Sequence, residues 1–134
     1  MTCCFVLLDA CQSTPYSTFK DPLAPGRFAL KHILVIDDEP SYCRILTQIL
    51  EASDYKVRTT LSGEEGVRLY RKEPADLVIV DIFMPKMDGL EVIHTLKEEF
   101  PDVKLIAVSG GGSLEMTNCL QVAKELGAQR VFQK

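Results

Sequence analysis

Four sites in this chain place a polar group where a strand-like run ends. Asp37-Asp38 follows the run at 32–36, Asp81 follows DLVIV at 76–80, Ser109 follows the run at 103–108, and Lys134 follows 130–133. Each group terminates an otherwise greasy segment, so ordinary surface solvation explains none of them. Gathered on one rim, they would form a pocket of three carboxylates, a hydroxyl and an ammonium. Three clustered carboxylates repel: at ~4 Å and an effective dielectric of about 20, each like-charged pair costs about 4 kcal/mol. Unless one is protonated, such a pocket demands a cation. An all-oxygen, anionic set without His or Cys selects a hard ion, magnesium before others. Magnesium held by a few carboxylates, with water positions left open, is what a phosphoryl-transfer site uses. There the Lys134 ammonium would stabilise one phosphoryl oxygen and the Ser109 hydroxyl would donate to another.

The intervening segments must do the gathering. His32 to Ile36, Asp76 to Val80 and Val103 to Val108 are short and almost continuously apolar, the pattern of strands buried on both faces. Tyr55 to Thr60 is a weaker, β-branched strand nearer an edge, and Arg130 to Gln133 begins a last one. Between them lie four helical patterns. Pro40 suits a first turn, with Tyr42, Ile45, Leu46, Ile49 and Leu50 recurring behind it at helical spacing. Ser62 with Glu65 reads as a capping box, and Asp88 with Glu91 caps a third helix whose inner face is Val92, Ile93, Leu96 and Phe100. The fourth follows the pliant loop Gly110 to Gly112 and stops at Gly127. Strands alternating with helices predict a parallel sheet covered on both faces. Ligands of such sheets bind at the carboxyl ends of the strands, which is where the acids stand.

Four blocks carry a family resemblance: ILVIDDEP (33–40), LVIVDIFMPKMDGLEVI (77–93), LIAVSGG (105–111) and GAQRVFQK (127–134). In order and separation they are similar to the receiver domain of two-component response regulators, over about residues 31–134. The resemblance implies an α/β, flavodoxin-like, doubly wound sheet of five parallel strands in the order 2-1-3-4-5. It implies Asp81 as phospho-acceptor, with Ser109 as switch hydroxyl and Lys134 as the phosphate-pairing lysine. Asp38 would bind Mg2+ directly and Asp37 through water, with Asp81 and the backbone carbonyl of Phe83 completing the protein ligands. It further implies a sensor histidine kinase or phosphotransfer protein as donor and a downstream protein target. A homodimer through the fourth-helix face is left open. The expected function is a phosphorelay switch rather than an enzyme.

Length and charge bound the remaining possibilities. A chain of 134 residues, 46% hydrophobic and 25% charged, holds one domain with a real core. Its net charge of −4 advertises no basic face for nucleic acid or anionic membrane, so direct contact with either is not expected. No stretch approaches the ~20 apolar residues of a membrane helix. Five cysteines without C-x-x-C spacing argue for free thiols, not zinc. Residues 1–30, with Pro15, Pro22, Pro25 and Gly26 and no sustained period, read as a flexible leader. Leu8-Asp9-Ala10-Cys11 faintly resembles a lipoprotein cleavage box, but no Lys or Arg precedes the short apolar run. A cytoplasmic location is therefore expected.

Two departures qualify the resemblance. Most receivers carry Tyr or Phe three residues before the lysine; here that position is Val131, followed by Phe132. Coupling through a rotating aromatic is accordingly not expected, and backbone and loop motion would have to serve. The sequence also stops at Lys134, before the family's fifth helix, so apolar surface on the last strands is expected to lie uncovered. One alternative follows: a receiver-like scaffold that binds proteins without being phosphorylated. A flavin-binding protein on the same architecture is disfavoured, since Asp37-Asp38 would repel the flavin phosphate.

Overall fold

A computed structural model describes residues 31–110 and 114–134 of the chain. The expectations for the leader 1–30 and for Gly111 and Gly112 lie outside the described residues. The strands are β1 (His32–Ile36), β2 (Lys56–Thr60), β3 (Leu77–Asp81), β4 (Leu105–Ser109) and β5 (Arg130–Gln133). The helices are α1 (Pro40–Glu51), α2 (Gly63–Lys72), α3 (Gly89–Glu99) and α4 (Leu114–Glu125). All strand pairs are parallel, in the order β2-β1-β3-β4-β5. This is the flavodoxin-like order expected, and its reversal beside β1 opens a crevice between the β1 and β3 ends.

The doubly apolar strands divide their side chains between two cores. Leu34, Ile36, Val78, Val80, Leu105 and Ala107 face α2, α3 and α4, meeting Val67, Tyr70, Val92, Ile93, Leu96 and Ala123. Ile33, Val35, Ile79, Ile106 and Val108 form the other core with Cys43, Leu46 and Leu50 of α1. At roughly 1.5–3 kcal/mol per fully buried aliphatic side chain, this double burial holds the sheet between its helix layers, and the fit of each side chain to its own core sets the register. A one-residue slip would put each strand's side chains on the wrong face.

The helix starts differ in quality. Asp88 caps α3 with a complete reciprocal box: its side chain accepts from the Glu91 N–H at 3.0 Å, and Glu91 accepts from the Asp88 N–H at 3.3 Å. Ser62 makes half of the expected box, accepting from the Glu65 N–H at 3.5 Å. The Glu65 carboxylate is engaged by Arg68 at 2.7 Å instead. Gly127 ends α4 at φ +109°, a backbone conformation that suits glycine.

Two packing expectations need correction. Ile45 of α1 is 53% exposed, and Cys43 takes the core position. The helix turns its Cys43, Leu46 and Leu50 stripe inward, which leaves Ile45 on the far side. Nor does β4 expose the apolar surface expected of the last strands. Ile106 and Val108 are buried, and the half-buried Phe132, paired in register with Val108, packs on their cluster.

Candidate functional site

Every strand end that matters reaches one rim. The β1 end delivers Asp37 and Asp38 into the turn before α1, while β3 and β4 carry Asp81 and Ser109 as their own last residues. A carboxylate oxygen from each of Asp37, Asp38 and Asp81 lies within 4.8 Å of the other two. Asp37 and Asp81 are buried and Asp38 is exposed, so the cluster has a dry floor and an open mouth.

Local structure holds these groups rigidly. The Asp37 N–H donates to Thr60 O at 3.1 Å, which ties the turn to β2. Asp37 Oδ1 accepts from the Glu39 N–H at 2.9 Å, and the Cys43 thiol donates to Asp37 O at 3.4 Å. Burial first, and then the Asp37 charge, raise the Cys43 pKa, which keeps the thiol protonated as a donor. Just after β3, the Ile82 N–H donates to Val108 O at 2.9 Å and the Gly89 N–H to Ile82 O at 2.8 Å. Gly89 sits so close that a Cβ there would meet Asp81 O at 2.2 Å. The loop leaving the acid is thus clamped to the start of α3.

Lys134 closes the pocket. Its ammonium lies 2.6 Å from Asp37 Oδ2, 3.7 Å from Asp81 Oδ2 and 3.8 Å from Glu39 Oε2, with the side chain only 15% exposed. The Lys134 N–H donates to Ser109 O at 2.7 Å, so the lysine backbone is anchored to the end of β4. Burial opposes its charge, but the bond to Asp37 and the charges of Asp81, Asp37 and Glu39 prevail and raise its pKa.

One ammonium does not neutralise three acids. Burial, then the Asp37 charge, push Asp81 up to about 6, against the pull of Lys134 and a hydrogen bond from the Phe83 backbone. Asp81 Oδ1 and Ser109 Oγ are buried and have no hydrogen-bond partner among the described residues. Native interiors rarely leave such atoms unpaired, so these two oxygens stand ready for a ligand. Hard oxygen donors, excess negative charge and an unpaired buried carboxylate oxygen all fit a divalent cation such as Mg2+.

Asp37, Asp38, Asp81 and Lys134 meet here, and Ser109 is tied to Lys134 through its carbonyl; Phe83, expected to offer its backbone carbonyl, hydrogen-bonds Asp81 through its backbone, and its side chain is 46% exposed. Sequence reasoning missed Glu39, Cys43 and Tyr42 as neighbours of the pocket. The Tyr42 ring centroid is 4.3 Å from the Lys134 ammonium. Only the place of Tyr42 in the first turn of the helix that follows Asp38 hinted at it.

Among the described residues, no helix is long and apolar enough to cross a membrane. Comparison with known proteins gives a consistent picture. The Bacillus subtilis alkaline phosphatase synthesis transcriptional regulatory protein PhoP is 41% identical over 80 residues, 58% of this chain and 33% of PhoP. The probable transcriptional regulator ycf27 of Porphyra purpurea is 43% identical over 82 residues, 61% of this chain and 33% of that protein. The matched region is thus about a third of the length of these curated relatives. Among solved structures, a CheY-like receiver domain protein from Methanospirillum hungatei superposes with a TM-score of 0.72 at 31% identity, covering 79% of this chain and 82% of that one. The response regulator TrrA of Thermotoga maritima, solved with Mg2+-BeF, gives 0.70 at 30% identity, covering 78% and 87%. The family model of the response regulator receiver domain matches residues 33–134, and the chain belongs to that family.

Proposed function

We propose that this chain is a phospho-accepting switch in which Asp81 takes a phosphoryl group from a histidine of a sensor kinase or phosphotransfer protein. The observation that carries this reading is the meeting of three carboxylates within 4.8 Å beside an ammonium, at the carboxyl ends of a parallel sheet. Asp37, Asp38 and Asp81, with the Phe83 carbonyl, would hold Mg2+, which neutralises charge on the transferring phosphoryl oxygens. An Asp81 oxygen attacks phosphorus while the phosphorus–nitrogen bond breaks. The electron pair returns to the imidazole, leaving an acyl phosphate on Asp81. Lys134, which pairs with Asp37 in the structure, would then hold a phosphoryl oxygen, and the Ser109 hydroxyl, without a partner among the described residues, would donate to another. Attack by water on phosphorus later frees inorganic phosphate and restores the carboxylate.

Phosphorylation adds about −1.5 to −2 charges to this strand end. Moving Ser109 and Lys134 toward it pulls on the ends of β4 and β5, which biases the neighbouring face toward one conformation for a downstream protein. PhoP and ycf27 carry transcription in their names, and an output of that kind would reside in a partner or another segment of the polypeptide. The test is incubation with acetyl phosphate and Mg2+, followed by intact mass and hydroxylamine treatment. One hydroxylamine-labile phosphoryl group is expected on the wild type and none on Asp81→Asn. A wild-type chain that takes up no phosphoryl group from acetyl phosphate or from a phosphohistidine donor would reduce the protein to a binding scaffold.

A further inference from the structure

Lys134 carries its charge on a flexible four-carbon stem, and its two buried ionic partners, Asp37 and Asp81, are carboxylates a cation would claim, while the third, at 3.8 Å, is the exposed Glu39. A divalent ion held by Asp37 and Asp81 would compete with the ammonium for those oxygens and repel it toward water. One uncharged neighbour also stands outside that competition. The Tyr42 ring, on the first turn of α1, lies with its centroid 4.3 Å from the ammonium. The ring is itself backed by the α1-side core, against which Tyr42 and Phe132 both pack. An aromatic face attracts a cation through its quadrupole and does not bind Mg2+ in place of carboxylates.

We propose that Tyr42 is a positioning residue that keeps the Lys134 ammonium beside Asp81 when a metal ion displaces it from Asp37. The inference rests on the phospho-acceptor reading of the site and adds to it a group from outside the polar cluster. It also gives the pocket a mechanical link to α1. When Lys134 swings to a phosphoryl oxygen, it leaves or tilts against a ring packed on the same core as Phe132 of β5. The position expected to carry a switching aromatic holds Val131, so an aromatic contact on the opposite sheet face bears on the lysine instead.

The test compares wild type, Tyr42→Leu and Tyr42→Phe in the full chain, titrating Mg2+ alone and then beryllofluoride at saturating Mg2+. Losing the ring loosens Lys134, so Tyr42→Leu should bind beryllofluoride about fivefold more weakly, the worth of one partly desolvated cation–π contact. Its Mg2+ affinity should hold or rise, because the competing ammonium leaves Asp37 more readily. Tyr42→Phe keeps the ring and should restore both values. In a Lys134→Met background the Tyr42→Leu change should have no further effect on beryllofluoride. Parallel loss of both affinities would mean that Tyr42 only supports the fold, and unchanged beryllofluoride binding would mean that it does not hold the lysine. Failure of the wild type to bind Mg2+ at all is a separate result: it overturns the site reading, and this inference with it.

Discussion

Lys134 is paired with Asp37 in preference to Asp81: its ammonium is 2.6 Å from the former and 3.7 Å from the latter. The charge of Asp37 is, after burial, the main reason that Asp81 titrates at about 6. Asp37→Asn removes that charge and frees the ammonium to approach Asp81, and both changes favour the Asp81 carboxylate. The Asp81 pKa should therefore fall from about 6 toward the ordinary carboxylate range. A pH titration of the side-chain carboxyl carbon by NMR would show it, and an unmoved midpoint would refute the coupling. The same variant should lose about tenfold or more in Mg2+ affinity, as expected when a carboxylate leaves a small ligand set.

The raised pKa of Asp81 has a consequence for stability. A carboxyl that holds its proton more tightly folded than unfolded favours the native state at low pH. That advantage is lost as pH rises from the ordinary value of 3.8 through about 6, and the full penalty applies above it. The gap corresponds to roughly 3 kcal/mol as an upper figure. Asp81→Asn abolishes the ionisation, so the metal-free variant should be roughly 1–3 kcal/mol more stable than wild type at pH 7–8. Near pH 4 the difference should shrink toward zero. Urea unfolding at both pH values decides the matter, and a variant less stable at pH 8 would contradict the assignment. Saturating Mg2+ should close the gap from the other side by stabilising the wild type.

Much of this fold was legible because its strands are buried twice over. A run such as DLVIV leaves no choice of exposed face, so its place in the sheet interior follows from composition, and the acid ending it must meet the rim. Helix faces were less legible. Ile45 and Cys43 stand two residues apart on α1, and apolar character alone favoured the isoleucine, whereas the packed stripe runs through the cysteine. At Ser62 the box pattern was present, but Arg68 competes for Glu65, and sequence spacing does not rank a cap against a salt bridge. In the pocket, strand ends identified the acids, the serine and the lysine. The Tyr42–Lys134 contact was hidden, because it joins distant segments and depends on the rotamer of a long side chain.

Gly89 should tolerate no side chain. A Cβ there would meet backbone on β3 and just beyond it, at 2.2 Å from Asp81 O and 2.7 Å from Ile82 Cα, and neither atom can swing aside. Gly89→Ala must move α3 or the acid itself, at a cost of roughly 1–3 kcal/mol or more for overpacking. Because the collision is with the residue bearing the proposed nucleophile, Mg2+ affinity should fall together with melting temperature. Gly110 offers the contrast: the nearest atom to a Cβ there is Lys134 Cδ at 3.5 Å, an ordinary contact. Gly110→Ala should therefore cost much less than Gly89→Ala in parallel thermal melts, and equal losses would mean that the Gly89 clamp does not matter.

The complete capping box at Asp88 makes a sharper claim about where stability and chemistry separate. Asp88→Ala leaves the N–H of Glu91 without its acceptor and should cost about 1 kcal/mol, within the usual range for a lost cap. Glu91→Ala removes only the reciprocal bond to the exposed Asp88 N–H, which water can replace, so its cost should be smaller. Asp88 is an acid close in sequence to the cluster, yet the metal-capable group comprises Asp37, Asp38 and Asp81. Asp88→Ala should consequently lower the urea midpoint while leaving Mg2+ affinity within about twofold, since a pure stability change does not alter ligand number. A large loss of Mg2+ affinity in a still-folded variant would show that the β3–α3 loop, held by this cap, sets the geometry at Asp81.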